Sequence, residues 1–200
     1  MKKISVLFVC LGNICRSPAA EAIFISLIEK KGLTDAFIVD SAGTGSWHIG
    51  KKADSRMRIA AERRDINILS RARQITNKDF DEFNYIIAMD DSNFRNIQDL
   101  KNRKVSTGFA SIKKIQDFRS VFNEQEVPDP YFGGDEGFDY ILDILEDSVN
   151  GFLESISWIY LISVSLGILS LYRSIILSTT SLIEYPSVII SIASFAFIRG

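Results

Sequence analysis

The stretch Val6-Leu7-Phe8-Val9-Cys10-Leu11-Gly12-Asn13-Ile14-Cys15-Arg16-Ser17-Pro18 decides how the rest of the chain is read. An unbroken apolar run leads into a cysteine, the pattern of a strand buried on both faces of a parallel sheet. A short loop with Gly12 and Asn13 follows. Ser17 then reads as a helix N-cap and Pro18 as the first helical residue. Five residues separate Cys10 from Arg16, so the loop curls back and brings thiol and guanidinium to one point. The loop amides and the helix N-terminus face the same point. Together they make an anion cradle with a sulfur at its base. Its phosphate-binding residues are Leu11, Gly12, Asn13, Ile14, Cys15, Arg16 and Ser17.

Outward from this stretch, Ala20, Ile23, Phe24, Leu27 and Ile28 continue the helix on one apolar stripe, and Gly32 ends it. Phe37–Val39 reads as a second strand, Ala53–Arg64 as a helix and Phe83–Met89 as a third strand. Asp91–Leu100 is expected to be helical. Val105–Phe109 is expected as a fourth strand, followed by a helix over Ser111–Phe122. Two prolines and two glycines make Val127–Gly134 a loop. Phe138, Ile141, Leu142, Leu145, Val149, Phe152, Leu153 and Ile156 share one face of a final amphipathic helix. This alternation predicts an α/β fold. A single three-layer domain over residues 1–156 would hold a four-stranded parallel sheet flanked by helices, with the phosphate-binding loop after strand one. Ligands of such sheets sit beyond the C-terminal ends of the strands, where Cys10 falls.

The chain has 200 residues and a net charge of −2, which argues against a nucleic-acid partner. Two cysteines and one histidine are too few for a zinc site, and both cysteines lie in one loop rather than in a disulfide framework. We expect no metal or cofactor, and a catalytic domain in the reducing cytoplasm. The N-terminal run ends at Gly12-Asn13 without a cleavage-type region, so it reads as a strand and not as a signal peptide.

The chemistry of the loop is nucleophilic. Loop amides, helix dipole and Arg16 all favour a thiolate at Cys10, and the planar fork of Arg16 matches two phosphate oxygens. Asn13 tolerates left-handed backbone and has an amide to tie the loop down. Ser17 is placed to donate its hydroxyl to the sulfur. Displacement at phosphorus also needs a proton for the leaving oxygen. Asp129, held between Pro128 and Pro130, is the candidate. Cys15 reads either as packing or, so close to Cys10, as the partner in a reversible disulfide that guards the nucleophile. His48 reads as a structural loop residue, Asp90 as a helix cap and Lys113-Lys114 as a solvated face.

Val9 to Pro18 resembles the signature of the low-molecular-weight protein-tyrosine phosphatases. The likeness extends to Asp40-Ser41-Ala42-Gly43-Thr44, Trp47-His48-Ile49-Gly50, Arg71-Ala72-Arg73-Gln74 and Pro128-Asp129-Pro130-Tyr131, and covers about residues 3 to 156. The resemblance implies that Cys10 is the nucleophile, Arg16 the phosphate-binding arginine and Asp129 the proton donor. Trp47 and Tyr131 would wall the slot for a phenyl phosphate, Cys15 would be redox-active, and the partners would be phosphotyrosine-containing proteins. Three departures bear on specificity and regulation, one of them a longer segment between strand four and Asp129. Ser70 stands where many members carry a histidine, and Phe132 where some carry a tyrosine. Two rival functions keep the same scaffold: an arsenate reductase-like enzyme, or a non-catalytic, membrane-tethered phosphate-binding module. The first lacks further cysteines to pass a disulfide outward; the second needs neither thiol nor acid.

The last quarter is a different kind of polypeptide. Residues 155–200 contain only Arg173, Glu184 and Arg199 as charged residues, and Ser155 to Tyr172 is an uncharged run of 18. That length suffices for a membrane-spanning helix, with Trp158, Tyr160 and Tyr172 placed as interface aromatics. Residues 157–200 are therefore expected to be a helical, apolar tail. It reads either as a membrane anchor through residues 155–198 or as an extension outside the working design.

Overall fold

The computed structural model describes residues 3–103, 108–130 and 136–157. The expected tail beyond residue 157, Tyr131 and Phe132 lie outside them. Ile4–Cys10 forms β1, and Arg16–Lys30 forms α1. Then come β2 (Phe37–Gly43), α2 (Ser55–Glu62), α3 (Asp79–Glu82), β3 (Tyr85–Ala88), α4 (Asp91–Asn102) and β4 (Ser111–Lys114). Helix α5 runs over residues 136–157. Among the described residues no helix is long and apolar enough to cross a membrane.

The sheet is parallel throughout, in the order β2-β1-β3-β4. The chain steps from β1 outward to β2, then returns across β1 to lay down β3. The winding therefore reverses between β1 and β3, and the two connections diverge there. A crevice at that reversal, beyond the carboxyl ends of the strands, is where α/β sheets hold ligands. It lies between Cys10, the last residue of β1, and Met89-Asp90, just past β3.

Alternation along β1 builds a core on each side. Leu7 and Val9 join Phe80, Ile86, Ala88 and Ile97 on the α4 face. On the other face Phe8 meets Phe24 of α1 at 5.7 Å and Phe152 of α5 at 6.3 Å between ring centroids. Phe152 also touches Tyr85 and Phe118. All eight apolar positions expected to share the inner face of α5 are buried.

Three expectations need correction. Helix α1 starts at Arg16, with Cys15 as its N-cap and no side-chain cap bond. Ser17 is inside the first turn instead, because its hydroxyl is engaged with the sulfur of Cys10. The fourth strand is Ser111–Lys114 rather than Val105–Phe109; of the latter, 104–107 lie outside the described residues and 108–110 are irregular. The expected helix over Ser111–Phe122 is thus a strand followed by one 3-10 turn, Ile115–Phe118. As the edge strand, β4 pairs on one side only and tolerates two lysines, which hides its strand character in the sequence. The C-terminus of α1 follows expectation. Gly32 has φ +66°, and its N–H and that of Leu33 bond Glu29 and Ile28 carbonyls. That left-handed cap suits glycine.

Candidate active site

The loop after β1 wraps around the sulfur of Cys10. Asn13 N–H donates to it at 3.2 Å, and the Ser17 hydroxyl lies 3.1 Å away. Both cysteines are free, and Cys10 is 3% exposed. Asn13 adopts φ +55°, the left-handed geometry its short amide tolerates. That amide is fully used. Its Nδ2 donates to Ser17 Oγ at 2.9 Å and Ser41 Oγ at 2.8 Å, and its Oδ1 accepts from Arg73 N at 2.9 Å. Ser41 in turn donates to Glu21 at 2.6 Å.

Gly43, opposite Cys10 in the β1–β2 register, lets the loop approach. A Cβ there would come within 2.9 Å of Leu11 O and 3.2 Å of Asn13 N. The Arg71–Gln74 segment braces the same place from behind. Arg73 donates to Asp40 at 2.8 Å and to Asp79 at 3.0 Å, while its own N–H holds Asn13. His48 packs over Gly12, in keeping with a structural role. Asp54 caps α2, and its N–H bonds Ile14 O at 2.7 Å.

Arg16 is 5% exposed and sits between three anchors. Its Nη1 donates to Asp90 Oδ2 at 2.7 Å and to Val127 O at 2.9 Å; its Nη2 reaches Asp129 Oδ2 at 3.5 Å. Burial alone would lower its affinity for its proton. The negative charges of Cys10, Asp90 and Asp129 outweigh burial and push it up, so the guanidinium stays charged. Val127 N–H also bonds Met89 O at 3.1 Å, docking the acid-bearing segment on the end of β3. Burial pushes the Cys15 thiol up to about 12, with Asp54, Cys10 and Asp129 adding and Arg16 opposing. Cys15 is therefore a protonated thiol at neutral pH. Burial also pushes Glu21 above the ordinary carboxylate range, against bonds from Ser41 and Ser70 that pull it down.

Cys10, Arg16 and Asp129 thus converge on one crevice, with the whole loop Leu11–Ser17 around it. Trp47 stands 63% exposed beside Leu11 at the rim. Tyr131 lies outside the described residues. Sequence reasoning missed Asp90 as partner of Arg16; it does cap α4, through Asn93 N at 2.6 Å, but its other oxygen holds the arginine. Its position just past the strand next to β1 was the available signal. Ser41 and Arg73 fall in stretches that carry the family resemblance, but no local signal showed what they bond; Glu21 and Asp79 carried none. Among the described residues no group of side chains could hold a metal ion.

The model of the family described as low molecular weight phosphotyrosine protein phosphatase matches residues 5–158. The chain belongs to this family. A low molecular weight phosphotyrosine protein phosphatase of Schizosaccharomyces pombe is 43% identical over 157 residues, covering 78% of this chain and 99% of its own. Among solved structures, a protein tyrosine phosphatase from Entamoeba histolytica matches with TM-score 0.73 and 43% identity, over 78% of this chain and 97% of that one. A structure named as a Drosophila arginine phosphatase matches with TM-score 0.71 and 33% identity, over 75% and 96%.

Proposed function

We propose that this member of the family hydrolyses phosphotyrosine in proteins, and small aryl phosphates, through a phosphocysteine intermediate. The observation that supports it best is the convergence of Cys10, Arg16 and Asp129 on the crevice between β1 and β3. Cys10 attacks phosphorus as the thiolate, held by Asn13 N–H and Ser17. The S–P bond forms as the P–O bond to the phenol breaks, and Asp129 gives its proton to the departing oxygen. Arg16 and the loop amides bind the phosphoryl oxygens and carry the charge that spreads over them. Water then attacks the phosphocysteine. The Asp129 carboxylate takes its proton, phosphate leaves and the thiolate returns. Trp47 and Tyr131 wall the slot.

Cys15 acts as redox guard. A peroxide oxidises Cys10 to the sulfenic acid, and the Cys15 thiol condenses with it to a disulfide with loss of water. The phosphatase names of the relatives above favour hydrolysis over the arsenate reductase-like and non-catalytic readings. We place the catalytic unit in the cytoplasm, where both thiols stay reduced. The uncharged run 155–172 supports attachment to a membrane. Recovery of the full chain in a detergent-released membrane fraction would bear that out. A fully soluble monomer would overturn it and leave an extension outside the working design.

The decisive assay is turnover of para-nitrophenyl phosphate at about pH 6 by wild type and Cys10→Ser, followed by tyrosine- and arginine-phosphorylated peptides. Near-total loss in the serine variant and preference for phosphotyrosine are expected. Equal turnover in both proteins would overturn the mechanism, and preference for phosphoarginine the substrate class.

A further inference from the structure

Beside the catalytic loop lies a second concavity of about 640 Å³, between the turn after β2 and helix α4. Its size falls within the roughly 300–1,000 Å³ of ordinary ligand clefts. Leu11, the residue after Cys10, and Trp47 line its near side. Asn96, Asp99 and Arg103 line its far side. These three are spaced three and four residues apart, which puts them on one stripe of α4. Leu11 belongs both to this cleft and to the loop after β1.

Two observations mark the near side as a binding wall. Leu11 is 41% and Trp47 63% exposed, an apolar surface that water solvates poorly. The turn is also shaped to seat the indole, since a Cβ on Gly45 would fall 1.1 Å from the Trp47 ring. Beside the apolar Leu100, the far side carries one charge of each sign, Asp99 and Arg103, which does not suit a polyanion. The Asn96 carboxamide offers a donor and an acceptor, the pair that an extended peptide backbone requires.

We infer that this cleft holds the stretch of substrate polypeptide adjoining the phosphotyrosine, with an apolar side chain seated against Leu11 and Trp47 and the backbone running along Asn96, Asp99 and Arg103. The inference rests on the phosphatase reading above and adds a determinant of substrate choice to it. A phenyl phosphate occupies only the slot over Cys10. A phosphoprotein would gain binding that a free phosphate ester lacks, and that gain would appear in KM.

The test uses the full chain with three substrates: para-nitrophenyl phosphate and two phosphotyrosyl peptides, one with leucine on both sides of the phosphotyrosine and one with glycine there. Wild type is expected to favour the leucine peptide by about tenfold in KM. Asn96→Trp fills the cleft from α4. It should erase that preference while leaving para-nitrophenyl phosphate turnover unchanged, which also reports that the variant is folded. Arg103→Trp provides the same obstruction from the end of the helix should the first variant fail to fold. A wild type that treats both peptides alike would overturn the inference. So would a cleft-filled variant that keeps the leucine preference. A wild type that turns over none of the three substrates would instead overturn the phosphatase reading.

Discussion

The loop after β1 and the segment bearing Asp129 are held in opposite ways. Cys10 to Ser17 is braced from beneath by Ser41, Arg73 and Glu21, and Asn13 spends every hydrogen-bonding atom of its amide on that bracing. Asp129, by contrast, lies on a segment anchored through Val127, by one bond to the end of β3 and one to Arg16. Its carboxylate meets Arg16 at 3.5 Å and is 44% exposed. One half of the site is pre-formed by the sheet. The other is docked on it by the arginine that belongs to the first. A rigid cradle suits a group that must bind a phosphoryl group without reorganising. On the proposed mechanism Asp129 would first give and later take a proton, a role that a solvent-open carboxylate suits.

Breaking the docked half at its chemical end should have the largest effect. Asp129→Ala is expected to lower kcat by about 10²–10⁴-fold with the fold intact. Steady-state kinetics across pH would show it, and a kcat within a few-fold of wild type would remove Asp129 from the mechanism. Next comes the joint between the halves. Asp90→Ala leaves Arg16 buried without its shortest ion pair, a change that costs about 3–5 kcal/mol in comparable cases. Urea denaturation would measure it; a loss below about 1 kcal/mol would mean that Val127 O and Asp129 suffice.

Within the pre-formed half, Asn13→Ala strands buried partners on three sides, worth about 1–3 kcal/mol, and keeps a left-handed backbone without an amide to support it. Both stability and kcat/KM should fall; an unchanged melting curve would show that the sheet alone shapes the loop. The smallest effect is a matter of pH. The native state holds the proton of Glu21 more tightly than an unfolded chain does. Stability from this group is present in full below the ordinary value of 4.5 and is lost as pH rises through the raised one. Glu21→Gln should flatten the fall of Tm with pH over that window. Parallel slopes for both proteins would rule Glu21 out as the source.

What could be read from the sequence was what is local. The thiol, the arginine, the left-handed asparagine and the proline-flanked acid lie in short stretches whose chemistry is visible residue by residue. The eight inner positions of α5 followed from periodicity, and each is buried. The partners of these groups were not legible. Asp90 reaches Arg16 across 74 residues, and only the reversal of winding between β1 and β3 puts them together. Glu21 looks like any helical glutamate until α1 is laid against Ser41. Strand β4 was missed because Ser111-Ile112-Lys113-Lys114 has the composition of a solvated segment, and only its pairing with β3 makes it a strand.

The bond from Arg16 to Asp129 has a kinetic consequence. Arg16, the cation that would grip a phosphoryl group on the proposed mechanism, also leans on the Asp129 carboxylate of its own chain. On the proposed mechanism, the Asp129 carboxylate would compete with an incoming anion for Arg16. Tethering keeps that competitor at constant effective concentration. Such competition would raise KM for all substrates alike.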